Sequence, residues 1–205
     1  MTSARPLRAL ALVCTLSPSP ATSSSQLLAE QVLASLAGHG VEGSLVRVVD
    51  HDVKPGVAAD MGGGDEWPVI REQLLSADIL VLATPTWMGQ ASSVAQRVLE
   101  RLDAEISETD DAGRPVLFDK VAVVAVVGNE DGAHKISADV FQALNDVGYT
   151  IPAQAVTYWN GEAMHTVDYQ DLDQTPEVTA TTTATIARNA AHLAAALRAT
   201  SYPAP

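Results

Sequence analysis

The sequence predicts one α/β domain over residues 1–205: a doubly wound, five-stranded parallel sheet with helices on both faces. Three observations carry this expectation. Short apolar runs alternate with segments of helical periodicity, and parallel neighbours need crossover connections that lay helices over both faces of the sheet. Residues 121–127 form an unbroken run of Val and Ala, as expected of a strand buried on both sides in the middle of a parallel sheet. Ser-, Gly- and Pro-rich segments punctuate the runs, with no internal repeat and no domain linker.

Residues 7–14 read as the first buried strand, followed by the hydroxyl-rich loop 15–25 and a helix to about residue 36, with Leu28, Val32 and Leu36 on one face. Gly38 and Gly40 end that helix, and residues 44–49 supply the second strand. Pro55, Gly62, Gly63 and Gly64 mark 51–65 as a mobile loop before a helix over 67–75, with Asp65 or Glu66 near its cap. The third strand is 77–83, and residues 85–89 make a turn. Val94, Val98 and Leu102 then recur on a helix running to about residue 105, ahead of the acidic insertion 107–114. After the fourth strand, 121–127, and a turn at 128–132, Ile136, Val140, Leu144 and Val147 mark another helix. Residues 153–158 are the fifth strand, and a last helix over 176–197 buries Ile186, Ala190, Leu193 and Leu197. With the order 2-1-3-4-5, a ligand sits at the C-terminal ends of the strands, at the switch point between strands one and three.

Composition narrows the function classes. With 47% apolar and 18% charged residues the chain is that of a folded globule, and no apolar run approaches the roughly 20 residues that span a bilayer. No membrane span is expected. Residues 1–16 superficially resemble a signal peptide, with Arg5 and Arg8 ahead of an apolar stretch, but that stretch is short and Val/Leu-rich and reads as strand. Cys14 is alone, which excludes an internal disulfide, suits a cytoplasmic protein and favours an inert, structural thiol. A formal charge of −13 with only 12 Lys and Arg argues against a nucleic-acid partner. His39, His51, His165 and His192 show no metal-ligand spacing, and Glu108, Asp110 and Asp111 lack a full oxygen ligand series, so no metal is expected.

Three loops follow strands at the expected ligand edge. Loop 15–25 is packed with hydroxyls, among them Ser17, Ser19, Ser23, Ser24 and Ser25, and leads into a helix N-terminus. Free backbone N–H groups and the helix dipole attract a phosphate there without Lys or Arg. Thr22 or Ser23 is equally a plain helix cap. The absence of Gly-x-Gly-x-x-Gly and of a Gly-Lys-Ser/Thr ending leaves a mononucleotide as the candidate. The second loop, Pro85, Thr86, Trp87, Met88 and Gly89, offers flat apolar surface and exposed amides suited to a flavin ring, although Trp87 and Met88 also read as core or interface residues. The third carries Gly128, Asn129, Glu130, Gly132 and His134; its glycines permit close approach to a ring, and Asn129 suits a pyrimidine edge or a helix cap. Convergence of all three points to FMN.

At these residues the chain resembles the flavodoxin-like NAD(P)H-dependent FMN reductase and quinone reductase superfamily, over residues 7–164. Ser17 matches the loop serine of the family's phosphate pattern, whereas Ser24 and Ser25 stand where that pattern has Asn and Thr. Pro85 to Gly89 resembles the family's flavin turn, and Gly128 to His134 its glycine-rich turn. The resemblance implies an FMN-dependent oxidoreductase that takes electrons from NADPH or NADH and passes them to a quinone, a flavin or another small-molecule acceptor, as a homodimer or homotetramer. FMN carries the chemistry, so no catalytic side chain is expected. A flavodoxin-type electron carrier and a flavin-binding sensor are the alternatives. Trp159, after the fifth strand, stands where relatives place residues near the flavin, and the insertions 51–65 and 105–119 suit a substrate lid or an oligomer contact.

Overall fold

A computed structural model describes residues 5–163 and 165–204, so Met164, where the resemblance ends, lies outside the described residues. Strands β1 (Leu7–Val13), β2 (Val41–Arg47) and β3 (Ile79–Trp87) are joined through α1 (Ser24–Ala37) and α2 (Trp67–Ser76). A two-residue strand β4 (Gln90–Ala91) folds back on β3, and α3 (Ser93–Leu102), β5 (Val121–Gly128), α4 (Ala133–Asp146), β6 (Val156–Asn160) and α5 (Glu177–Ala199) complete the chain. The sheet order is β2-β1-β3-β5-β6, all parallel, with β4 antiparallel to β3 outside that path. The five long strands therefore have the expected 2-1-3-4-5 order of the flavodoxin-like fold.

Strand pleating sends alternate side chains to opposite faces. Leu10, Leu12, Leu80, Leu82, Val124 and Val126 build one core with Trp67, Ile70, Val98, Ile136 and Val140. Ala9, Ala11, Val13, Val81, Ala125 and Val127 build the other with Leu28, Val32, Ile186 and Ala190 of α1 and α5. Both faces of the central strands are thus dry, which is why 121–127 shows no polar alternation. Cys14 continues β1 through a bond from its N–H to the Ala83 carbonyl; its side chain is fully buried, and burial pushes the thiol up, out of the reactive range. Among the described residues no helix is long and apolar enough to cross a membrane.

Three boundaries differ from expectation for tertiary reasons. β3 runs on through Pro85, Thr86 and Trp87, expected as a turn, because Thr86 and Trp87 pair with Ala91 and Gln90. The turn itself is Met88–Gly89, with φ of 52° and 70°, the two-residue hairpin geometry that needs positive φ at both positions. β6 starts at Val156, after a turn with Gln154 at φ 55°, so Trp159 and Asn160 belong to the strand. β2 stops at Arg47, and residues 48–50 form a 3-10 turn that becomes important at the site.

Neither insertion covers the ligand edge. Segment 51–65, expected to be mobile, is folded around the Asp65 carboxylate, which accepts the amides of Lys54, Met61 and Trp67 and pairs with Arg101 at 2.8 Å, both side chains fully buried. The loop 107–119 folds on itself through the Thr109–Pro115 bridge and the pairing of Arg114 with Asp110 and Asp119.

Candidate functional site

β1, β3, β5 and β6 end around a cavity of about 520 Å³ at the C-terminal edge of the sheet. Part of its lining is a hydroxyl cradle: Thr15, Ser17, Thr22, Ser23, Ser24 and Ser25. Ser23 is the N-cap of α1, its hydroxyl accepting the Gln26 amide at 3.3 Å, so the first-turn amides lack intrahelical acceptors beside those hydroxyls. Aromatic surface is supplied by Trp87 from β3 and Trp159 from β6; Trp159 packs on Tyr169 with ring centroids 5.5 Å apart. Val127, Gly128, Asn129 and Glu130, at the end of β5, complete this part of the lining.

Of the residues selected from sequence, Ser17, Ser23, Ser24, Ser25, Pro85, Thr86, Trp87, Gly128, Asn129 and Glu130 line this cavity. Five do not. Ser19 donates both its amide and its hydroxyl to the Asp50 carboxylate, at 2.7 and 2.6 Å, and those two bonds hold Asp50 below the usual carboxylate range. Met88 is 89% exposed at the tip of the hairpin, and its amide donates to Glu130 Oε1, which fastens a left-handed turn that a non-glycine residue adopts at some cost. Gly89 and Gly132 pack against each other: a Cβ on Gly132, whose φ is 144°, would lie 3.0 Å from Gly89 Cα and 3.1 Å from Thr86 Cγ2. His134, in the first turn of α4, meets the Tyr158 ring edge-on at 5.3 Å. His134→Ala is therefore expected to remove an aromatic contact of about 0.5–1.5 kcal/mol while changing flavin affinity less than about twofold, as thermal melts and fluorescence titration would show.

The connection from β6 to α5 is the part that sequence reading missed. It contributes Ala163, Asp168, Tyr169 and Gln170 to the cavity. Three bonds strap it down: Gly161 N to Gly128 O at 2.7 Å, Asn129 Nδ2 to Asp168 Oδ1 at 3.0 Å, and Gln170 N to Ser24 Oγ at 3.3 Å. Tyr169 anchors it beneath, its hydroxyl donating to Gln31 Oε1 at 2.6 Å. A signal was available, because a long connection with little regular structure of its own, inside a compact domain, is usually functional.

The cavity wall holds polar groups that the protein leaves unmet. Three buried side-chain polar atoms lack a partner among the described residues, and two of them, Thr86 Oγ1 and Gln170 Oε1, belong to residues lining this cavity. Buried polar atoms are ordinarily satisfied, so such a pair calls for a polar ligand. Among the described residues no cluster of His, Cys, Asp and Glu suits a metal ion.

Residues 7–163 match the NADPH-dependent FMN reductase family. The chain belongs to that family. The chain is 37% identical over 166 residues to the 8-demethyl-8-aminoriboflavin-5'-phosphate synthase of Streptomyces davaonensis, covering 77% of this chain and 65% of the synthase. It is also 40% identical over 169 residues to the divalent metal cation transporter MntH of Mycobacterium bovis, covering 80% of this chain but 25% of the transporter. The matches thus span less than two thirds of either curated relative. Among solved structures, RosB with its bound intermediate 8-demethyl-8-formylriboflavin-5'-phosphate superimposes with a TM-score of 0.86 at 33% identity, over 96% of this chain and 82% of RosB. The FMN reductase family is FMN-binding and NADPH-dependent by name, and the residues present fit such a group: one cavity joins an anion cradle, aromatic surface and residues with unmet polar atoms.

Proposed function

We propose that this chain is an FMN-dependent oxidoreductase that takes electrons from NADPH or NADH and passes them to a small acceptor such as a quinone or a flavin. The observation that supports it is the meeting, in one cavity, of the α1 hydroxyl cradle, the Trp87 and Trp159 surfaces and the two orphaned polar atoms. When bound, FMN supplies the redox chemistry, and the protein's tasks are to hold it, expose it and tune it. Ser17, Ser23, Ser24 and Ser25 would take the phosphate, with the positive end of α1 behind them. Thr86 and Gln170 offer partners for the ribityl hydroxyls. Asn129, whose Nδ2 is held by Asp168, keeps its oxygen for the polar edge of the ring. Trp87, 55% exposed, leaves the mouth open to donor and acceptor. A homodimer or homotetramer in the cytoplasm accords with the exposed Leu16, Trp87 and Met88 and with the single buried cysteine.

The test is the visible spectrum of the protein after loading with FMN and removing the excess, followed anaerobically by NADPH and then a quinone. Retained flavin that bleaches and recovers over many turnovers is the expected result. Retained flavin indifferent to NADPH would favour an electron carrier or a sensor, and no retained flavin would overturn the reading. A second reading draws on the similarity to RosB and to the aminoriboflavin-phosphate synthase: the flavin phosphate is substrate rather than resident cofactor. Mass spectrometry of the flavin recovered after turnover separates the two, since only a substrate changes mass.

A further inference from the structure

Two arginines are buried among the described residues, and they are satisfied differently. Arg101 has a carboxylate partner in Asp65. Arg47, the last residue of β2 and 8% exposed, has no carboxylate in ion-pair contact among the described residues. Its guanidinium meets neutral oxygens: Nη1 donates to Ser17 O at 3.2 Å and Ala21 O at 2.7 Å, and Nε and Nη2 donate to Gln26 Oε1 at 3.0 and 2.6 Å. All three acceptors belong to the phosphate-type loop or to the first turn of the helix that it enters.

This arrangement does two things for an anion. A backbone loop attracts phosphate only when its N–H groups rather than its carbonyls face the ligand. By engaging the Ser17 and Ala21 carbonyls, Arg47 keeps both from facing the cradle. A buried cation without a carboxylate in direct contact is also costly, and an anion above the loop relieves that cost. The acidic neighbours stand off: Asp50 feels the Arg47 charge without an ion-pair contact while its oxygens hold Ser19, and Glu30 accepts Gln26 Nε2 at 2.7 Å. A loop that contains no Lys or Arg thus acquires its positive charge from the end of β2.

We propose that Arg47 is the positioning and counter-charge residue of the phosphate subsite, acting through the loop rather than by touching the ligand, and that it makes this chain select a flavin 5'-phosphate over the unphosphorylated flavin. This rests on the flavin reading above.

The experiment measures dissociation constants of FMN and riboflavin by flavin fluorescence quenching, at low and high salt, for wild type, Arg47→Lys and Arg47→Met, with thermal melts alongside. Wild type is expected to prefer FMN. Arg47→Met should weaken FMN about tenfold or more, the scale of a charged hydrogen-bond network, while leaving riboflavin within about threefold and flattening the salt dependence of FMN binding. Arg47→Lys, which keeps the charge but not the fork, should fall between them. Equal loss for both flavins, or an unchanged preference, would overturn the proposal in favour of a purely structural role. If Arg47→Met fails to fold, the Lys variant decides by the same ratio. Wild type binding both flavins equally sinks this inference and leaves the flavin reading standing; wild type binding neither sinks both.

Discussion

Arg101→Met is expected to destabilise the protein by about 3–5 kcal/mol, the cost of breaking a buried pair from one side. Arg101 Nη2 lies 2.8 Å from Asp65 Oδ2 with both side chains fully buried; the guanidinium also bonds the Lys54 and Ala58 carbonyls and sits 5.6 Å from the centre of the Trp67 ring. Methionine restores some of the packing but leaves a buried carboxylate without its counter-charge and two carbonyls without their donors. For a chain of this size each kcal/mol moves the melting temperature by roughly 2–4 °C, so a fall of about 10 °C is expected in a calorimetric scan. The pH dependence gives an independent check. Burial alone would raise the Asp65 carboxyl, but Arg101 and the amides of Met61, Lys54 and Trp67 outweigh it and hold the group well below its ordinary range. A depressed carboxyl contributes stability that is present above its unfolded value, about 3.9, and is lost as pH falls from there through the folded value. Without Arg101 burial gains weight and the folded value rises toward the unfolded one, so the share of the acid limb that Asp65 supplies should shrink and the fall in stability below about pH 4 should become shallower. Asp65→Asn combined with Arg101→Met should recover part of the loss. An Arg101→Met protein that melts within a degree or two of wild type, with an unmoved acid limb, would show that the pair is not what anchors segment 51–65.

Gly128→Val is expected to weaken FMN binding by at least about tenfold, or ~1.4 kcal/mol, and to cost about 1–3 kcal/mol of stability through overpacking. The glycine is needed here for closeness rather than for backbone conformation. A Cβ on Gly128 would stand 2.8 Å from Thr86 Cβ and 3.2 Å from Thr86 Oγ1, and Thr86 is pinned by its pairing with Ala91. The ends of β3 and β5 would have to part, and they lead into Trp87 and Asn129, both of which line the cavity. Equilibrium dialysis with FMN and a urea melt separate the two effects. Wild-type affinity in a variant that has lost stability would place the flavin elsewhere.

Much of the fold was legible because strand and helix patterns are local. The Val and Ala run at 121–127 declares burial on both faces, and β5 spans it. Leu28, Val32 and Leu36, spaced at helical intervals, are all fully buried in α1. The hydroxyl loop, the Pro85–Trp87 segment and Gly128–Glu130 could be placed at one edge because the strand order fixes where strands end. Identifying which members of those loops face the cavity needed partners distant in sequence. Ser19 was claimed by Asp50, Met88 by Glu130 and His134 by Tyr158, none of them a neighbour along the chain.

By itself, then, the sequence determined the α/β class, the sheet order and the edge where a ligand belongs, since periodicity and the crossover rule depend on residues close together along the chain. Only the tertiary structure decided that the β6–α5 connection walls the cavity, that segment 51–65 is anchored by a buried ion pair rather than hinged as a lid, and that Arg47 underlies a loop lacking any cation of its own. Each of these joins groups far apart in the chain, and their meeting is set by packing of the whole domain, which no local pattern encodes.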